Sequence, residues 1–293
     1  MSSVFLECTF SDITTGSGSS CSIYVNSKAI VVELYWTRFI KLAFTKDTSS
    51  CCGNFVEKCL RVVGNHNCYI NCRNPYRTTY FVLQASYGST SMVEFNHSVA
   101  IVGDDQLKAG PNPRTLFNSG ADSFHVFHHN NITGHKNFKM RNFLTFEGCT
   151  KGTESVSFCQ FGTILAKYML YPQSDPLSHA YSYFNILNAT ITQGFFLNLH
   201  QVGIDFENCI FSDVELQPSK GAAYVNFISC RFSFPEDHLP SLCNAINCLF
   251  NVVNPELFRI ETGFNKKCTP RTNRFTNQKL SNAFIPILHL LIH

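Results

Sequence analysis

The sequence has little charge. Only 15% of its 293 residues are charged, against about 25% in a typical globular chain. Its net charge of +3 and pI near 8.2 are low for a nucleic-acid-binding domain, which usually has a pI above about 9 and a clustered basic face. Yet 44% of the residues are hydrophobic, which excludes intrinsic disorder. We therefore expect a folded chain with a large core, a polar and weakly charged surface, and no nucleic-acid partner.

Helical patterns are also missing. No long window combines sustained helical periodicity with clean caps. The stretches between strand-like segments, such as 171–176 and 217–221, are turns, whereas a doubly wound α/β fold needs helices of 10 to 15 residues there. The sequence therefore predicts an all-β fold.

Targeting and membrane segments are the third absence. The chain turns polar within eight residues of Met1, so no secretory signal is recognised. The apolar stretch at 283–292 contains Pro286 and His289 and is about half of the roughly 20 residues that a spanning helix needs. We expect no complete transmembrane segment in this chain.

The sequence is rich in cysteine and phenylalanine, with 14 and 28 residues. Five segments share one pattern: an apolar residue, two variable residues, Cys, one variable residue and Phe. They are 5–10, 156–161, 206–211, 227–232 and 245–250, and a sixth, 34–39, has Thr37 in place of Cys. Because alternate side chains of a strand share a face, Cys and Phe are predicted to point inward together. In four copies an apolar residue follows three positions after Phe. A step of three residues would place it on the opposite face of a straight strand, so we expect a bend between the two.

The spacing of the cysteines predicts the architecture. The interval is 50 residues from Cys159 to Cys209, then 21 to Cys230 and 18 to Cys248. A β-sandwich predicts strands every 8 to 12 residues, but not the same inward pair at these longer intervals. Coils of a solenoid do predict it. We therefore predict a parallel β-helix of roughly ten to twelve irregular coils over residues 1–268, opening on a core strand without an N-terminal cap. Residues 269–293 are predicted to form a tail outside the solenoid, apolar at its end.

Several motifs resemble those of a known group. The Phe-x-x-Cys-x-Phe copies, Phe-x-x-Asn at 127–130 and 195–198, and Gly-Ala-Ala-Tyr at 221–224 are similar to repeats of right-handed parallel β-helix proteins of the polymorphic-membrane-protein type. They look most like the cysteine- and asparagine-rich surface families of trichomonad protists. The resemblance covers roughly residues 1–268. It implies a right-handed coil, a place at the cell surface or on a membrane, and a non-catalytic adhesion-type function through a protein or glycan ligand, with no cofactor. Such families usually have a signal sequence and a membrane anchor, so we expect a truncated or fragmentary member.

The alternative function is a carbohydrate-active enzyme, because parallel β-helices include polysaccharide lyases and polygalacturonase-like hydrolases. Asp104 and Asp105 resemble part of the hydrolase carboxylate cluster, and glycoside hydrolysis needs two positioned carboxylates. However, adjacent residues of a strand point to opposite faces. The Gly-His-Gly and Arg-Ile-Lys signatures of that family are absent. A turn is the favoured interpretation of both residues, which are catalytic candidates only under the alternative.

Five thiols and an imidazole crowd into the segment from Cys51 to Cys72. Zinc sites use Cys and His at short spacings, so His66, Cys68 and Cys72 are candidate zinc ligands. Their spacing matches no strict zinc finger, and Val62 is typical of another coil. Structural thiols or disulfides are the favoured interpretation.

A histidine-rich strand and three sequons are the remaining candidates. Alternation along a strand places His125 and His129 on one face and His128 on the other, which we interpret as a solvated face. Sequons at Asn96, Asn131 and Asn188 are glycosylation candidates if the chain enters the secretory pathway.

Overall fold

The computed structural model describes residues 2–16, 22–27, 30–45, 54–57, 59–72, 82–83, 91–101, 117–119, 123–133, 139–146, 155–172, 179–191, 204–216, 225–241 and 243–271. These residues contain one 3-10 helix, Glu236–His238, and no α-helix. None of the described segments is a helix long and apolar enough to cross a membrane.

The strands follow one another closely along the chain. They are β1 (Ser2–Leu6), β2 (Thr9–Ser11), β3 (Thr14–Thr15), β4 (Ile23–Asn26), β5 (Val31–Tyr35), β6 (Arg38–Ile40), β7 (Ala43–Phe44), β8 (Asn54–Glu57), β9 (Arg61–Asn65), β10 (Cys68–Ile70), β11 (Val82–Leu83), β12 (Ser91–Asn96), β13 (Val99–Ile101), β14 (Phe117–Ser119), β15 (Ser123–His128), β16 (Asn131–Thr133), β17 (Lys139–Phe146), β18 (Ser155–Ser157), β19 (Gln160–Pro172), β20 (His179–Ser182), β21 (Asn185–Ile191), β22 (Ile204–Glu207), β23 (Ile210–Leu216), β24 (Val225–Ile228), β25 (Arg231–Phe232) and β26 (Cys243–Ile246).

Two long parallel sheets run the length of the molecule. The first contains ten strands in the order β1-β5-β9-β12-β15-β18-β20-β22-β24-β26. The second follows β2-β6-β10-β13-β16-β19-β21-β23-β25, and β14 and β17 pair off this path. Each coil except the last therefore contributes one strand to the first sheet and one to the second before the next coil begins. This confirms the predicted all-β parallel solenoid.

The coils shorten toward the C-terminus. Register partners in the first sheet are 32 residues apart at Phe95 and Phe127, 25 at Tyr181 and Phe206, and 18 at Phe227 and Ala245. The last strand of this sheet, β26, lies well before residue 268, where the sequence placed the end of the solenoid. Residues 252–271, which we call the strap, instead run back along the side of the coils.

The predicted inward pairs form the core. Cys159 and Phe161, like the pairs at 209 and 211 and at 230 and 232, are completely buried. The Phe rings stack between neighbouring coils, with centroids 5.0 Å apart for Phe211 and Phe232. The prediction of an inward Cys-x-Phe face is thus confirmed, although Cys8 and Cys248, at the two ends of the stack, are only half-buried.

A bend with positive φ precedes the Cys position of every motif copy, and another follows Phe in every copy except 227–232. The predicted bend after Phe is confirmed by Asp12 (φ 55°) and Asp213 (φ 53°). A second bend, which the sequence did not reveal, lies just before the Cys position. There one residue of each coil has φ between 52° and 58°: Glu7, Trp36, His66, His97, His129, Phe158, Tyr183, Asn208, Ser229 and Asn247. Bulky residues rarely adopt this left-handed conformation, so its recurrence at one corner indicates that neighbouring coils stabilise it.

The residues after this bend form a ladder of hydrogen bonds inside the corner. We call them the bend ladder: Cys8, Thr37, Asn67, Ser98, Asn130, Cys159, Phe184, Cys209, Cys230 and Cys248. The N–H of Asn67 donates to Ser98 Oγ (3.0 Å), and the N–H of Cys209 donates to Cys230 Sγ (3.4 Å). Cys230 Sγ in turn lies 3.3 Å from the Phe206 carbonyl oxygen. A thiol of the bend ladder therefore acts as a serine hydroxyl does. It accepts from one backbone N–H and lies against one backbone carbonyl oxygen.

We expect the bend ladder to tolerate serine better than valine. In Cys209→Ser the hydroxyl replaces the thiol between the Phe184 N–H (3.5 Å) and the Tyr181 carbonyl (3.5 Å), and unfolding free energy should change by less than about 1 kcal/mol. Cys209→Val leaves that buried N–H without its acceptor and should cost about 1–3 kcal/mol. Urea unfolding of both variants measures the difference, and a valine variant as stable as the serine variant would contradict the hydrogen-bonding role.

Candidate functional site

A column of stacked rings lies along the corner that the left-handed residues form. Its members, which we call the ring column, are Trp36, His66, His97, His129, Phe158 and Tyr183. Neighbouring centroids are 4.4–5.0 Å apart, and successive ring planes differ by at most 14°. The one-per-coil left-handed bend produces the stack, because it aims one side chain per level in the same direction at strand spacing.

The strap lies against this column. The Asn185 side chain bonds the backbone of Phe258 twice, accepting from its N–H (3.0 Å) and donating to its carbonyl (2.7 Å). The Gly263 N–H donates to the His97 carbonyl at 2.9 Å. The ring of Phe264 meets Trp36 edge-on with centroids 5.6 Å apart. The strap is therefore held by hydrogen bonds to groups of the coils that form no sheet hydrogen bonds, and by a ring contact with Trp36.

A disulfide fixes the far end of the strap. Cys68, on β10, is bonded to Cys268, which is 200 residues away in sequence. Both cysteines pack with Val99 and Phe264 in a small cluster of buried residues separate from the main core. The disulfide thus joins the third coil to the end of the described chain.

Burial beneath the strap affects the histidines of the column. It lowers the pKa of His66 from 6.5 to about 4, with a smaller contribution from the neighbouring His97 imidazole. Burial likewise lowers the pKa of His129, whose Nδ1 is a buried atom with no hydrogen-bond partner among the described residues. Burial therefore favours the neutral form of His66 and of His129 at neutral pH.

Acidification should destabilise the protein through His66. The pKa of this group is lower in the folded than in the unfolded chain, so the unfolded chain binds the proton first as the pH falls. Stability is full above about pH 6.5 and should fall by about 2 kcal/mol toward pH 4, allowing for the partial exposure of the ring. Urea unfolding across this range measures the slope. His66→Asn, which copies Asn208 of the equivalent bend, should flatten it, and an unchanged slope would contradict the assignment.

Gly263 is where the strap approaches the column most closely. A Cβ at this position would lie 2.6 Å from His66 Cδ2 and 2.8 Å from His66 Cβ. Gly263→Ala should therefore lift the strap, cost about 1–3 kcal/mol, and accelerate amide exchange of residue 263 more than tenfold. Gly162→Ala is the matched control, because its nearest new neighbour is Leu187 O at 3.9 Å. Equal behaviour of the two variants would show that the contact with His66 is unimportant.

The candidate zinc ligands do not come together. His66 belongs to the ring column, and Cys68 is bonded to Cys268. Cys72 is buried in the main core with its Sγ 3.3 Å from the Phe39 carbonyl oxygen. Within the described ranges, no group of three or more His, Cys, Asp or Glu side chains is arranged to hold a metal ion.

The remaining predicted residues are an aspartate pair and the histidine-rich strand. Asp104 and Asp105 fall outside the described residues. His129 does not follow the alternation from His125, because its left-handed bend places it in the ring column, whereas His128 Nδ1 lies 2.7 Å from Ser157 Oγ.

The three sequons differ in accessibility. Asn131 is buried at the start of β16, and Asn96 Oδ1 accepts from the His128 N–H (2.9 Å). Asn188 lies at a second bend and is half-buried.

An open groove of about 690 Å³ lies near the C-terminal end of the coils. Its polar and aromatic walls come from Thr190, Asp213, Glu215, Ser233, Phe234 and His238. Both carboxylates belong to β23, while Thr190 belongs to β21 and Ser233 follows β25. The Ser233 hydroxyl accepts from the Asp213 N–H at 2.9 Å, which fixes the bend at Asp213. We call this the polar groove; sequence reasoning missed it because β21, β23 and β25 become neighbours only in the stack.

A second, smaller cleft of about 310 Å³ lies between the strap and the ring column. The solenoid contributes Trp36, His66 and His97, and the strap contributes Arg259, Glu261 and Arg271. We call it the strap cleft. It exists only because the strap returns along the coils, which no local pattern of the sequence indicates.

The comparisons with known proteins give no relative. No family model matches the chain, and neither the curated proteins nor the solved structures contain a significant match.

Proposed function

We propose that this chain is a non-catalytic, adhesion-type module that acts at a cell surface and holds a protein or carbohydrate ligand in the polar groove. The groove is the observation that carries the proposal, because it is open and crosses three successive coils. The resemblance of the coil motifs to surface β-helix proteins supports the location.

The chemistry of the groove suits a ligand rich in hydroxyl or amide groups. Asp213 and Glu215 supply carboxylate acceptors, and Thr190 and Ser233 supply hydroxyls that donate and accept. Phe234, whose ring is 6.4 Å from that of His238, adds an apolar face. Ligand sites commonly combine such a face with a few polar groups that fix orientation.

The enzymatic alternative requires a different use of carboxylates. A glycosidase places one on each side of the scissile bond, as acid and as base or nucleophile. Asp213 and Glu215 belong to a single strand, which supports a role in holding the ligand. Binding and product release, measured on the same protein, separate the two functions.

The test is binding of the fluorescently labelled protein to cultured cells, followed by competition with soluble polysaccharides and by protease treatment of the cells. We expect saturable binding that falls at least tenfold in the double variant Asp213→Asn, Glu215→Gln. Asp12→Asn is the matched control, because Asp12 occupies the same bend as Asp213 on the first coil, outside the groove.

Absence of saturable binding, or equal binding by the double variant, would overturn the proposal. Release of reducing ends or unsaturated sugars by the wild type alone would establish the enzyme instead, and surface labelling of the native cell tests the location.

A further inference from the structure

We propose that the strap cleft is a second binding site, which takes a small organic acid carrying a flat ring. Three observations support it: the charge of the cleft, the rings on its floor, and the way in which the strap fixes the backbone of Arg271. None of them involves the polar groove, so this site stands or falls independently of the function proposed above.

The charge of the cleft favours an anion. Arg259 Nε lies 3.7 Å from Glu261 Oε1 in an exposed ion pair, so the cleft holds one carboxylate against two guanidinium groups. Arg271 has no ion-pair partner among the described residues, and its guanidinium is therefore the uncompensated charge of the cleft. A guanidinium presents a rigid fork of N–H donors that matches the two oxygens of a carboxylate.

The floor of the cleft favours a flat ring. The Trp36 indole and the His66 imidazole stack with centroids 4.4 Å apart, and His97 continues the stack at 4.8 Å. Both faces of His66 are covered by its neighbours in the column, so the cavity that these groups share with the two arginines borders ring edges. The edge of an aromatic ring is electropositive and attracts the face of a flat aromatic ligand. At about 310 Å³, the cavity is at the small end of the range for ligand sites, which suits a single-ring compound rather than a long chain.

The strap fixes the backbone of Arg271 before any ligand arrives. The backbone N–H of Arg271 donates to the Gly263 carbonyl at 2.9 Å, and Pro270 pairs with Phe264 in an antiparallel bridge. The turn between them is closed by Asn265 Oδ1, which accepts from the N–H groups of Lys267 (2.8 Å) and Thr269 (3.1 Å). The disulfide at Cys268 anchors this turn to β10. Such preorganisation lowers the entropic cost of binding.

Trp36 gives a direct readout, because it is the only tryptophan in the chain and lines the cleft. We would titrate the full chain with benzoate, with benzamide as the neutral isostere and with inorganic sulfate as a ringless anion, at constant ionic strength. The expected result is a saturable change of Trp36 emission with benzoate, and at least tenfold weaker effects with benzamide and sulfate. No saturable change with benzoate, or equal affinity for benzamide or for sulfate, would overturn the proposal.

Variants of Arg271 test the assignment to the cleft. Arg271→Gln should weaken benzoate at least tenfold, and Arg271→Lys, which keeps the charge but not the fork, should bind with intermediate affinity. Arg231→Gln is the control, because Arg231 is exposed on β25, several strands away from the coils of Trp36, His66 and His97 that form the solenoid side of the cleft. Amide exchange at Gly263 verifies that the strap stays docked in each variant. Wild-type affinity in Arg271→Gln with a docked strap would overturn the site, as would equal weakening by Arg231→Gln.

Discussion

Replacing Phe211 by alanine is expected to lower the free energy of unfolding by about 3–5 kcal/mol, the usual cost of truncating a buried aromatic side chain. Phe211 is completely buried. Its ring stacks on Phe232 at 5.0 Å and meets Phe227 edge-on at 5.2 Å, so truncation opens a cavity between neighbouring coils. Urea unfolding followed by circular dichroism measures the loss.

Phe250→Ala is the matched control for this prediction. Phe250 ends the same stack, with its ring 5.0 Å from that of Phe232, but it is only half-buried. We expect its truncation to cost less than half as much, because fewer atoms leave the core and the remaining space is open to water. Equal losses in the two variants would show that the assigned core register is wrong.

Removing the disulfide is the second change with a large expected effect. The double variant Cys68→Ser, Cys268→Ser should lose about 2–5 kcal/mol, because the bond closes a loop of 200 residues and restricts the unfolded chain. It should also free the strap, since Phe264 and the small buried cluster around it depend on this anchor. Thermal unfolding measures the first effect, and amide exchange at Gly263 measures the second.

The control for the double variant is Cys209→Ser. It also replaces cysteine by serine, but it leaves the disulfide intact and keeps the hydrogen bonds of the bend ladder. It should leave both the unfolding free energy and the protection of Gly263 nearly unchanged. If the double variant retained wild-type stability and a protected strap, hydrogen bonds to His97 and Asn185 alone would suffice to hold it. The disulfide would then contribute neither to the free energy of unfolding nor to the docking of the strap.

Local repetition made the coils predictable. The inward pairing of Cys and Phe follows from alternation within one strand, and recurrence of the pair at Cys209, Cys230 and Cys248 indicates stacking. The ring column was not predictable in this way. Alternation along the strand predicted that His129 shares a face with His125. His129 instead has a left-handed backbone conformation, and without a glycine at this position nothing in the sequence indicated such a bend.

The strap was unpredictable for a different reason. Nothing near Cys68 distinguishes Cys268 from the other cysteines as its partner, and connectivity does not follow from sequence spacing. The strap, residues 252–271, lacks the Cys-x-Phe pattern and also lacks strand-length alternation. Its place is set by individual contacts with Asn185, His97 and Trp36, which belong to coils far apart in sequence.

The shortening of the coils has a consequence for how the protein tolerates insertions. From the position of Phe5 to that of Ile13, six coils keep the same nine-residue frame: 5–13, 34–42, 64–72, 156–164, 181–189 and 206–214. All differences in coil length among them therefore fall outside this frame. An insertion between the end of the second-sheet strand of one coil and the first-sheet strand of the next widens the coil but leaves the bend ladder, the Phe stack and the register of both long sheets in place. The molecule is thus a scaffold into which foreign peptide loops can be grafted one coil at a time, at a loop-closure cost that grows only slowly with their length.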